Sequence, residues 1–74
     1  MNTVQRRSDM IEEIEKALKD GSFREKFKNN IRTHDMDFES YVIGEYNVII
    51  DLSNKIAWIT NGNKIVKTVK EVKV

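Results

Sequence analysis

Cysteine and proline are absent from this 74-residue chain, glycine occurs three times and histidine once. Each shortage excludes something. Without cysteine there can be neither disulfides nor thiolate metal sites, a composition that suits a reducing compartment. A lone histidine cannot build a His-rich metal centre. Gly21, Gly44 and Gly62 stand far apart, so the chain has neither a phosphate-binding P-loop nor a Gly-x-Gly-x-x-Gly fingerprint. No low-complexity stretch marks a linker and no repeat is visible. No apolar run approaches the roughly 20 residues of a membrane span. The opening "MNTVQRRSDM" lacks the apolar stretch of a signal peptide. The expectation is one soluble, cytoplasmic domain without membrane contact. The wealth of Lys, Asn and Ile is typical of AT-rich coding sequences, as in low-GC bacteria and their phages.

A domain of this size has only a few kcal/mol of stability, and small domains commonly add a disulfide, a metal or a partner. With the first two props excluded or unsupported here, a partner protein or a second copy is the one that remains.

The net charge of +1 points to no partner, but the charges are segregated. Residues 33–54 hold Asp35, Asp37, Glu39, Glu45 and Asp51 with no Lys or Arg. Residues 55–74 hold Lys55, Lys64, Lys67, Lys70 and Lys73 against Glu71 alone. Neighbouring strands of opposite charge would complement one another. The sharper readings are an acidic surface for a basic partner and a basic face for nucleic acid.

Residues 1–7 read as a flexible arm. Asp9 with Glu12 makes a capping-box arrangement, and Met10, Ile11, Ile14, Ala17 and Leu18 form an apolar stripe at helical spacing. Glu12–Lys16 and Glu15–Lys19 are spaced for pairing on the solvent side. Gly21 is placed to end that helix. Ser22 and Glu25 repeat the capping box, and Phe23, Phe27 and Ile31 continue as the stripe of a second helix. Residues 9–31 are therefore a helical pair. From Phe38 the period changes to two, and residues 38–72 form an antiparallel sheet. "YNVIIDL" alternates, "SNK" turns, "KIAWIT" is a strand, and "NGN" is a strong hairpin signal before "KIVKTV". "SYVIG" is either a further edge strand or part of one long strand bulged at Gly44. The predicted fold is α+β, with two short N-terminal helices packed on one face of a three- to four-stranded antiparallel β-meander.

A tight turn pairing Asp51 with Lys55 would set Ile50 opposite Ile56 and Val48 opposite Trp58 as the core face. Ile49, Ala57 and Ile59 would then lie on the other face. Either register leaves a second apolar patch, whereas a strand buried on one face should alternate cleanly. The N-terminal arm or the C-terminal "EVKV" could fold over that patch; otherwise it is an interface.

Catalytic constellations are weak. No serine sits in a nucleophile elbow. His34 in "RTHDMDF" could pair with Asp37 or Glu39, yet residues of this kind also make ordinary polar turns, with His34 facing solvent. The expectation is a non-enzymatic chain without cofactor or metal. It would be a protein-binding module, acting as a stoichiometric regulator or inhibitor, of the kind a phage or mobile element carries. The contact residues would be Asp35, Asp37, Glu39, Tyr41, Glu45, Ile49, Asp51, Ala57 and Ile59, with Tyr41 and Tyr46 either facing solvent beside an acidic surface or half-buried at the sheet edge. The partner would be another protein, or a second copy bound through the second sheet face. One alternative is a small DNA- or RNA-binding regulator using Arg6, Arg7, Lys64, Lys67 and Lys70. Another is a structural subunit of a larger assembly. Lysines on the last strand also guard an edge against unwanted pairing.

Overall fold

The computed structural model describes residues 5–74, with side chains from Met10 onward. The α+β class is confirmed: helices lie on one face of an antiparallel sheet, and the sheet has five strands in chain order. Helix α1 spans Gln5–Asp20 and α2 spans Phe23–Lys26; a 3₁₀ turn at Lys28–Asn30 follows. The strands are β1 (Ile31–His34), β2 (Phe38–Ile43), β3 (Tyr46–Asp51), β4 (Ile56–Asn61) and β5 (Lys64–Lys70).

The helix starts four residues before the expected Asp9 cap, so Arg6 and Arg7 belong to α1 rather than to an arm. Residues 1–4 of that arm lie outside the described residues. The apolar stripe is as expected: Ile14, Ala17 and Leu18 are buried, with Met10 and Ile11 packed against the same core. Gly21, at φ 88°, closes α1, and the Ser22 amide donates to the Ala17 carbonyl at 3.2 Å. The second capping box does not form. Ser22 gives both its amide and its hydroxyl to Asp20 Oδ1 (2.9 and 2.6 Å), leaving α2 a single turn without a side-chain cap.

What α2 contributes is Phe23, which stands edge-on to the Tyr41 ring at 4.7 Å. Ile31, expected as the last apolar residue of that helix, instead begins a fifth strand. The extra strand is short, bulged after Ile31, and paired only to β2. "SYVIG" is a separate strand, joined to β3 by a two-residue turn at Gly44-Glu45.

The β3–β4 connection sets the faces of the sheet. It is a four-residue loop, 52–55, rather than the tight turn of residues 52–54 that pairing Asp51 with Lys55 would leave. The Lys55 amide donates to the Asp51 carbonyl (2.8 Å), and Asp51 accepts from both the backbone and the side-chain amide of Asn54 (3.1 and 2.8 Å). Lys55 takes the left-handed conformation that this wider turn requires, at φ 58°. The pairs are therefore Asp51 with Ile56, Ile50 with Ala57, Ile49 with Trp58 and Val48 with Ile59. One residue of slip exchanges the faces of β4. Ala57 and Ile59, expected on the second face, are completely buried in the core with Val48 and Ile50. Trp58, expected in the core, stands on the outer face, half-buried.

The β4–β5 hairpin turns at Gly62-Asn63 with positive φ at Gly62 only (64°), the pattern of a type II′ turn. A bulge in β5 follows, so Lys64 and Lys67 share the helix-bearing face instead of alternating. The C-terminal segment returns to the helix side. Glu71 bends at φ 58°, the Val72 amide donates to the Lys55 carbonyl, and the Lys73 amide donates to the Leu18 carbonyl, both at 2.9 Å. Val72 is buried in the core, so "EVKV" does not cover the second sheet face.

Candidate functional site

Two groupings of side chains stand out, one polar and internal, the other apolar and external. The first centres on Glu39. Its place on β2 turns it to the helix side, where it is 3% exposed. Arg24 of α2 grips it with Nε to Oε1 (3.2 Å) and Nη2 to Oε2 (2.8 Å). The Tyr41 hydroxyl donates to Oε1 at 3.0 Å, and His34 Nδ1 lies 3.2 Å from Oε2. The structure therefore does unite His34 with Glu39, through β1–β2 pairing. The carboxylate is already bonded by an arginine and a tyrosine, as a buried charge requires. Such a cluster joins α2, β1 and β2, and its chemistry is that of a structural clamp. Burial, and then the neighbouring Glu39, push the Tyr41 phenol up to about 12. Among the described residues no group of three His, Asp or Glu side chains is arranged to hold a metal.

This clamp removes several residues from the expected acidic surface. Glu39 and Tyr41 are internal, and Tyr46 is buried as well. Asp51 is 8% exposed and committed to Asn54, whose side-chain and backbone N–H groups hold its carboxyl below the usual carboxylate range. Asp35 is exposed, but Oδ1 accepts from the amides of Phe38 and Asp37 (2.8 and 2.9 Å) and closes the β1–β2 turn. Those two backbone bonds lower its pKa. Asp37 and Glu45 are exposed in the two turns that flank β2. The nine expected contact residues do not converge on one surface.

The second grouping is the outer face of the sheet. Strand register arranges it in three rows. Thr33, Ser40, Ile49, Trp58 and Thr68 cross the middle of all five strands. Phe38, Asp51, Ile56 and Lys70 form the row beside it, and Val42, Asn47, Thr60 and Ile65 the row on the other side. Neither helix lies on this face; both contribute buried residues to the opposite one. Phe38, Val42 and Ile65 are 44%, 36% and 58% exposed at its corners. Of the expected contact residues, Ile49 and Asp51 belong here. Phe38, Val42, Ile56 and Trp58 were missed, because their places depend on register or on which face the helices cover; Ile65 lies on this face as one of the two registers at Asn61-Gly62 would put it. The visible signal was the Asp-x-x-Asn spacing of Asp51 and Asn54, which favours a wider turn.

The basic residues are dispersed. Lys67 pairs with Glu15 of α1 at 3.6 Å, and Lys70 lies across the sheet on the outer face. The side chains of Arg6 and Arg7 lie outside the described residues. A groove of about 580 Å³ between the 52–55 turn and the C-terminal segment is lined by Lys55, Lys70 and Lys73 beside Glu71. No helix among the described residues is long and apolar enough to cross a membrane. No protein-family model matches this chain, and no curated protein or solved structure gives a significant match to it.

Proposed function

We propose that this chain is a non-catalytic binding module, which acts by stoichiometric contact with another polypeptide through the outer face of its sheet. The observation that carries this reading is a five-stranded sheet with α1 and α2 on one side only, and Ile49 and Trp58 at the centre of the other. An apolar centre with an aromatic anchor, bordered by Ser, Thr and Asn, has the anatomy of a protein contact surface. Attraction of a basic partner falls to Asp35, Asp37 and Glu45, which are exposed. Regulation or inhibition of the partner is the mode of action that suits a small chain with its buried carboxylate already committed.

The test compares affinity capture by the wild type and by Trp58→Lys. A protein recovered in stoichiometric amount by the wild type and lost with the variant supports the proposal. Equal recovery by both, with the variant's circular dichroism unchanged, overturns it. The lysine-lined groove favours a second reading, contact with an anionic polymer. Mobility shifts with generic DNA and RNA at low and high salt decide that one; no shift at low salt ends it.

A further inference from the structure

We infer that the partner that fits the outer face is a second copy of this chain, stacked sheet on sheet to give helix, sheet, sheet and helix layers. The inference rests on the reading of that face as a contact surface and names its occupant. Charge selects among occupants. Of the residues in the three rows only Asp51 and Lys70 carry charge, both in the same outer row, and Asp51 is bound to Asn54. A polyanion would find a single cation there. A strongly charged protein surface would lose hydration without gaining ion pairs. A neutral face made of Ile, Trp, Val, Phe, Ser, Thr and Asn is matched by a face of the same kind, and an identical copy supplies one at equal concentration.

Area points the same way. Five strands about 4.8 Å apart, each offering about five residues of about 3.3 Å rise, make a footprint of roughly 400 Å². Two such faces, with side-chain relief, bury about 1,000 Å² in total, the lower bound for a specific interface. Packed sheets lie about 10 Å apart with strands about 30° from aligned, which the natural twist of a five-stranded sheet permits. In a two-fold arrangement centred between β3 and β4, Trp58 of each copy covers Ile49 of the other, while Lys70 stays at the rim.

Trp58 is the only tryptophan, so its emission reports directly on the interface. Sedimentation of the purified chain over a wide concentration range should show monomer converting to dimer, with Trp58 emission moving to shorter wavelength in step. Trp58→Lys should raise the dissociation constant at least about thirtyfold. Thr68→Lys, at an exposed position on the same row, should weaken the dimer even if the first variant fails to fold. A chain that stays monomeric to several hundred micromolar overturns the inference. Photo-cross-linking in the source cell from a reactive side chain placed at Thr68 then separates the two claims. Transfer to a second copy supports the dimer. Transfer to a different protein alone overturns the dimer and keeps the contact surface, and no transfer overturns both.

Discussion

Glu39 is tolerated at 3% exposure because Arg24, Tyr41 and His34 surround its carboxylate. Arg24→Leu would leave that charge buried with its two strongest bonds removed. The expected cost is about 2 kcal/mol, below the roughly 3–5 kcal/mol of a fully buried pair, because the Arg24 side chain is itself half exposed. Urea denaturation measures this; a variant as stable as the wild type would mean the clamp contributes nothing. Tyr41 supplies a pH signature. The folded state holds the phenolic proton up to about 12, whereas the unfolded chain releases it near its ordinary value of 10. Stability is therefore intact below pH 10 and falls as the pH rises from there toward 12. Tyr41→Phe should flatten that decline in urea midpoints measured across the alkaline range. The carboxyls of Asp20, Asp35 and Asp51 are shifted down by their hydrogen bonds. Their contribution is present above the ordinary Asp range and is lost as the pH falls through the lowered values. Little of this network was readable in advance. His34 and Glu39 are five residues apart in sequence, and only pairing of β1 with β2 places them side by side.

Among the elements, α1 and the three strands β3 to β5 were legible because their signals are local. A stripe at 3.6 spacing, alternation at two, and Gly62 in a hairpin each act within a few residues. Gly21 shows how firmly such a signal operates. Its φ of 88° lies in the left-handed region, and an added Cβ would meet Lys73 Cβ at 3.6 Å, an ordinary contact. Gly21→Ala should therefore lose about 1–2 kcal/mol from backbone strain alone, measured by urea midpoint at constant m-value. The second helix and β1 were illegible for the converse reason. Phe23, Phe27 and Ile31 have helical spacing, yet Phe23 is held by Tyr41, while Ile31 pairs with Tyr41 as a strand residue. Tertiary contacts overrode propensity over the residues between Phe27 and His34.

At the scale of the molecule, the arrangement of layers separates two isoleucines one sequence pattern apart. Ile59 is fully buried between Val48 and β5, whereas Ile49 is half-buried on the outer face. Ile59→Ala should cost about 2–5 kcal/mol, enough to unfold much of a domain this small. Ile49→Ala should cost clearly less in dilute solution. Thermal or urea unfolding of the pair tests the register directly, since the alternative pairing of Asp51 with Lys55 would put both isoleucines on the outer face and make their costs similar. By itself the sequence determined the α+β class, the amphipathic first helix, the hairpin at Gly62 and the existence of a second apolar sheet face, because composition and periodicity are properties of the chain. Only the tertiary structure decided which residues occupy that face, where the C-terminal segment lies and which carboxylates remain exposed. The reason is the period of two along a strand. One residue more in the 52–55 turn moved Ala57 and Ile59 into the core and Trp58 to the outer surface, and the balance that chose the longer turn lies in the bonds from Asn54 to Asp51.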